Sequence, residues 1–357
     1  MSETMDTATE PKRPGGFLDL GDDDICQRAS RRYSRVSFAL LLLIVVSNIA
    51  GIALSVAFLA MNQGDPKALT GNPLLQLVVM FVPMYVIGVP VAWLVMRPMP
   101  AKAPKEGKIS GGHLLVLFLV SIFFMQAGNI VGTMLAQLFT GGKAQNAIEQ
   151  LVGMDGWLQF VVITLIAPVI EELVFRKFII DRTNRFGEKA AILFSALAFA
   201  LFHTNLFQLF YTFGLGLVLG YMYVRTGKLR LPIIFHVAIN ALGGIIPILL
   251  LRLVEKNAGM SFAQLTALPQ ERLVEFLGAI IPLTIYNLLM YGAAVAGMIL
   301  LIIFAKKLRF EPAKDELPKG RAFKAVCINV GFILYFLVCV LLMVLNLLES
   351  AGILNLN

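Results

Sequence analysis

The sequence predicts an all-α fold, a polytopic transmembrane helix bundle of about nine spans, and three observations predict it. Hydrophobic residues make up 58% of the 357, and charged residues only 15%. A soluble chain carries about 25% charged residues. Mean hydropathy is +0.80. The apolar residues also gather in runs of about 20, the length a helix needs to cross hydrocarbon. No single core could hold so much apolar surface, which excludes a soluble multidomain enzyme. It also excludes disorder beyond the first residues of the chain.

The elements can be placed in order. Residues 1–37 read as a cytoplasmic disordered tail, with Asp22–Asp24 as a solvated acidic patch. The first span, Phe38–Met61, follows the basic cluster of Arg28, Arg31, Arg32 and Arg35. Its apolar run is longer than the roughly 7–15 residues of a signal-peptide core, so it reads as a retained span. Leu74–Met96 ends on Arg97, and Leu114–Phe139 begins after His113, an interfacial residue beside Gly111 and Gly112. Trp157–Ile180, Glu188–Phe207, Leu209–Val224 and Leu231–Leu251 follow, the second and third of these joined by almost nothing around Gln208. Gly278–Ala305 and Ala325–Leu348 complete the set. Between them, Ser261–Phe276 reads as an interrupted amphipathic helix on the outer surface. Residues 38–150 and 256–357 thus form N- and C-terminal groups of spans around a core at 151–255.

The basic residues give an independent check on the span count. Of the 30 lysines and arginines, 25 fall on one set of alternate segments and 5 on the other. A miscounted span would scramble that alternation. The bias predicts a cytoplasmic N-terminus and an outer C-terminus. Short linkers and no eukaryotic-style targeting segment point to a bacterial plasma membrane. The net charge of +8 is accounted for by residues flanking spans, so no nucleic-acid partner is expected. Cys26, Cys327 and Cys339 supply neither a disulfide framework nor metal-ligand spacing. Asn48, Asn129, Asn287 and Asn329 read as hydrogen-bonding glue between helices.

Ionisable residues inside spans cost about 2.5–3.5 kcal/mol each even on the permissive insertion scale, so they point to function. Of the 22 acidic residues, only Glu171 and Glu172 lie well inside a span. Glu172 and Arg176 stand at i, i+4 with the acid first, the favourable order for a salt bridge. Glu171 points about 100° away around the helix and faces a separate environment. Two of the three histidines, His203 and His236, lie in apolar sequence. Phe199 shares a helix face with His203, and Asn240 shares one with His236. His236 and Asn240 together offer donors suited to an anion forming on a carbonyl oxygen. A buried ion pair and helix-to-helix hydrogen bonds remain the plain alternative for these residues.

Three motifs resemble those of the CPBP family of intramembrane proteases, which includes the type II CAAX prenyl endopeptidases. E-E-x-x-x-R is matched by Glu171, Glu172 and Arg176, F-x-x-x-H by Phe199 and His203, and H-x-x-x-N by His236 and Asn240. Each is weak alone; all three in order on separate spans are strong. Where family members often have Gly after the motif Arg, this chain has Lys177. The resemblance covers roughly Trp157–Leu251 and implies hydrolysis of a peptide bond in a hydrophobic or membrane-anchored substrate.

By matching position, the resemblance makes Glu171 and His203 the pair that activates water. His236 and Asn240 become the oxyanion hole, Glu172 and Arg176 structural support, and Phe199 a packing residue beside the imidazole. The expected site is a wet pocket entered from the cytoplasmic side. No cofactor is required on this reading, although Glu171, His203 and His236 also form a possible zinc ligand set with one position free for water. A proton-coupled transporter and a non-catalytic immunity or scaffold protein of the same fold are the rival functions.

Overall fold

The computed structural model describes residues 21–65, 71–145 and 161–354, and every regular element among them is helical. Nine helices correspond to the predicted spans: α1 Asp22–Met61, α2 Leu74–Met96, α3 Gly111–Thr140, α4 over 161–183, α5 Glu188–Phe202, α6 Leu206–Thr226, α7 Arg230–Ala258, α8 Gln270–Lys307 and α9 Val330–Ser350. Seven helices among the described residues are long and apolar enough to cross a membrane, α4 and α5 being the two outside that set. The chain is an integral membrane protein with an all-α, polytopic bundle.

Several boundaries differ from the sequence reading, each for a physical reason. The tail predicted to be disordered through residue 37 is helical from Asp22, because Ile25, Ala29, Tyr33 and Val36 form an apolar stripe that packs into the core. The aspartates at 22–24 occupy the first turn, where negative charge suits the helix dipole. Asp24 pairs with Arg28 at 3.3 Å, and Asp23 with Arg321. Residues 1–20 of the predicted tail, and residues 157–160 of the fourth predicted span, lie outside the described residues.

The fifth predicted span is shorter than drawn. α5 has 15 residues, a length of about 22 Å against the roughly 30 Å of hydrocarbon. It ends at Phe202, and α6 begins at Leu206 behind Asn205, whose side chain accepts from the Phe207 amide at 2.9 Å. The last predicted span is split in the same way. A short helix, Ala322–Cys327, stops before Asn329, which caps α9 by accepting from the Phe332 amide. Asn329 is therefore a capping residue rather than interhelical glue. Asn48 likewise bonds within its own helix, to the Ile44 carbonyl. Ser261–Phe276 consists of short helical pieces, the first held by a capping box of Ser261 and Gln264.

α3 packs along α6 and α8, α5 lies against α6, and α1 runs beside α2 and α9. Small residues permit the closest of these approaches. Gly128 and Gly132 of α3 face the α6 backbone, where a Cβ at either would collide with Tyr211 or with the Leu206 and Phe207 carbonyls. Their G-x-x-x-G spacing thus fixes where α6 starts, three residues beyond His203. The largest core cluster joins α1, α4, α5 and α9 and contains Phe175, Phe199 and Tyr335, all essentially inaccessible.

Candidate active site

Among the described residues, four stretches of widened, π-type helix interrupt the spans: Val82–Gly88, Val162–Ile166, Leu173–Ile180 and Ala241–Ile245. Single wide turns of this kind re-aim side chains and are frequent at functional sites. Here each contributes to one place. The first carries Tyr85, the second Ile163, and the third Arg176; Asn240 stands at the start of the fourth.

Glu172 is completely buried and engaged on both sides. Its Oε2 lies 2.9 Å from Arg176 Nε, and its Oε1 accepts from His236 Nδ1 at 3.0 Å. The Arg176 contact is one of opposite charge rather than a well-aligned hydrogen bond, since the Nε hydrogen does not point along it. Arg176 is itself fully buried. Its Nη1 donates to Ser195 Oγ at 3.1 Å, and its guanidinium lies 4.8 Å above the Phe199 ring. Ser195 passes the bond on by donating to the Phe175 carbonyl at 2.7 Å. Taking such charges from water costs several kcal/mol apiece, and these partners offset part of it, since Arg176 Nη2 is left without a hydrogen-bond acceptor among the described residues.

Glu171 has different surroundings. Its side chain is 12% exposed, against 0% for Glu172. The Tyr85 hydroxyl donates to its Oε1 at 3.3 Å, and its Oε2 lies 3.6 Å from His236 Nε2. His236 thus sits between the two carboxylates, Nδ1 committed to Glu172 and Nε2 turned toward Glu171.

The structure also brings both histidines to Phe199. Its ring centroid lies 4.7 Å from that of His203 and 5.5 Å from that of His236, edge-on in each case. Counted from their helix starts, His203 stands much deeper than His236; the shared aromatic closes that difference. His203 Nδ1 lies 2.8 Å from the Phe199 carbonyl. A carbonyl only accepts, so Nδ1 carries the hydrogen and Nε2 presents a lone pair. Among the described residues no hydrogen bond joins His203 to Glu171. Asn240 does not bond His236 either: its amide donates across to the Ile163 carbonyl at 3.4 Å.

A cavity of about 300 Å³ reaches His203, lined also by Asn205, Asn346 and Glu349. It lies where α5 ends, α6 begins and α9 ends, the helix ends opposite the basic clusters. The sequence reading expected entry from the basic, cytoplasmic side. Glu171, His203 and His236 are not drawn to ligand spacing; among the described residues no three His, Cys, Asp or Glu could hold a metal ion.

Sequence reasoning missed Tyr85, Ser195 and the Ile163 carbonyl. A signal existed for Tyr85 alone, which lies in Pro83-Met-Tyr-Val-Ile-Gly-Val-Pro90, a span segment whose two prolines disturb helical hydrogen bonding. Ser195 and Ile163 look like any other residues of their runs.

Comparison with known proteins bears out the family resemblance. Residues 153–242 match the family described as type II CAAX prenyl endopeptidase Rce1-like. The chain is 25% identical over 158 residues to the putative membrane peptidase YdiL of Bacillus subtilis (strain 168), covering 42% of this chain and 64% of that one. It is 30% identical over 148 residues to the membrane-embedded CAAX protease MroQ of Staphylococcus aureus (strain USA300), covering 39% of this chain and 58% of that one. It therefore spans less than two thirds of either relative. No solved structure matches it.

Proposed function

We propose that this protein, whose Rce1-like segment spans residues 153–242, is an intramembrane endopeptidase of hydrophobic or membrane-anchored peptides. The observation that carries the reading is the division between adjacent carboxylates. Glu172 is neutralised from both sides, by Arg176 and His236, while Glu171 keeps one oxygen near a tyrosine hydroxyl and some exposure. That leaves Glu171 able to accept a proton.

Glu171, with the lone pair on His203 Nε2, takes a proton from water as its oxygen adds to the scissile carbonyl. A positioned general base of this kind contributes about 10²–10⁴-fold. The carbonyl oxygen becomes an oxyanion, received by His236 Nε2 and the Asn240 amide, each such donor contributing about 10²–10³-fold. Donation by Nε2 requires a hydrogen there besides the one Nδ1 gives Glu172. The C–N bond then breaks, and the proton held by Glu171 passes to the leaving amine. Glu172 and Arg176 hold His236 in place, and Phe199 spaces the two imidazoles. The cavity beside Asn346 and Glu349 is the route for water.

No metal is needed for this sequence of steps. The test is comparative membrane peptidomics of cells expressing the wild type or Glu171→Gln, with a parallel assay of purified protein in a strong chelator. Substrate peptides should disappear from the variant while the protein accumulates normally. Persistence of the same products would overturn the base assignment, and loss of wild-type activity with chelator, restored by zinc, would replace it with a metal mechanism. We further assign the N-terminus to the cytoplasm and the C-terminus to the outer side, from the 25-to-5 distribution of basic residues, and the short linkers together with the two bacterial relatives support a bacterial plasma membrane.

A further inference from the structure

A second, larger cavity lies away from the hydrolytic residues, at the basic ends of the helices. Its volume is about 1,090 Å³, at the upper edge of the roughly 300–1,000 Å³ of small-molecule sites. Its walls come from the first half of α3, the start of α5, the end of α6 and the end of α8. The inner part is apolar, built from Val116, Leu117, Val120, Leu217, Leu300 and Leu301. Its rim is cationic, with Lys108, Lys189, Lys306, Lys307 and Arg309 all exposed.

The charge on this rim is not internally balanced. Among the described residues no ion pair joins those five to a carboxylate. A sixth cation in the lining, Arg225, pairs with Glu188. Glu311, the acidic residue of the lining, faces Lys105 at 3.7 Å. Lys189 and Lys307 instead lie over the Phe310 and Phe304 rings at 5.0 and 4.7 Å. Those contacts hold the ammonium groups at the mouth without neutralising them.

We propose that this cavity is a binding site for an anionic phospholipid, its acyl chain along the α3–α6–α8 wall and its phosphate among Lys306, Lys307 and Arg309. A purely apolar ligand would leave the cations without a partner, and a soluble anion would leave the apolar wall wet. An amphiphile with an anionic head at helix-end depth meets both demands, since basic pockets at membrane helix ends take such headgroups. The site is independent of the hydrolytic reading, and its test does not depend on cleavage.

The full-length protein in mild detergent would be given equal amounts of phosphatidylglycerol and phosphatidylcholine of the same acyl chains, and bound lipid counted by native mass spectrometry. Phosphatidylglycerol should be retained at least about fivefold over phosphatidylcholine. The triple variant Lys306→Gln, Lys307→Gln, Arg309→Gln should lose that preference, retaining phosphatidylglycerol only about as well as phosphatidylcholine. A variant removing equal charge from the neighbouring connection, Lys314→Gln, Lys319→Gln and Lys324→Gln, should behave as wild type. A short-chain phosphatidylglycerol should bind much more weakly than the long-chain form. Equal retention of the two lipids, equal losses in both triple variants, or short chains binding as well as long ones would each overturn the proposal. Monodispersity of every variant on size exclusion separates lost binding from lost folding.

Discussion

The same conservative change made at two adjacent residues should give opposite outcomes. Glu172→Gln removes a charge that sits 2.9 Å from Arg176 and is wholly buried. A glutamine oxygen still accepts from His236 Nδ1, so the loss concentrates on Arg176, which keeps Ser195 and the Phe199 ring but no carboxylate of its own. Removing one partner of a buried ion pair costs about 3–5 kcal/mol. At about 2 °C per kcal/mol for large domains, thermal unfolding in detergent should shift down by roughly 6–10 °C. Glu171→Gln has no such cost. Both of its neighbours, the Tyr85 hydroxyl and His236 Nε2, can meet an amide, and its side chain is partly exposed. Its midpoint should stay within about 1–2 °C of wild type while cleavage disappears. The assay is intrinsic-fluorescence melting of both variants alongside a cleavage measurement. A Glu172→Gln protein as stable as wild type, or a Glu171→Gln protein as destabilised as expected for Glu172→Gln, would refute the assignment of structural and reactive roles.

Three further outcomes follow from the same geometry. Tyr85→Phe deletes a hydroxyl lying 3.3 Å from Glu171; a hydrogen bond of about 1 kcal/mol predicts cleavage about fivefold slower with an unchanged melting midpoint, checked by initial rates. Gly132→Leu drives a side chain into the Leu206 and Phe207 carbonyls, and overpacking of about 1–3 kcal/mol or more should lower the melting midpoint by several degrees. In a cysteine-free background, Glu349→Cys should react with a membrane-impermeant maleimide in intact cells, whereas Lys319→Cys should react only after permeabilisation; the reverse pattern would invert the topology.

The candidate site residues were legible because membrane burial makes charge expensive. Glu171, Glu172, His203 and His236 stood out of apolar runs, and i, i+4 spacing alone tied Glu172 to Arg176. Helix boundaries were less legible. Between Phe202 and Leu206 the apolar run is broken only by His203, Thr204 and Asn205, so the three-residue turn there, with Thr204 at a positive φ of 46°, was marked by that short polar triplet alone. At the N-terminus the stripe of Ile25, Ala29 and Tyr33 was hidden among charged residues that face outward.

The sequence by itself determined the class of solvent, the all-α architecture and which polar side chains must find partners, because each follows from transfer energies and helical periodicity along one segment. Tertiary structure alone decided the partnerships. That His236 bridges both carboxylates, that Phe199 meets two imidazoles, and that Tyr85 comes from a span 86 residues away all depend on helix crossing and on wide turns that rotate side chains between helices. Those are set by packing between distant segments, where glycines at 128 and 132 count as much as any charged residue.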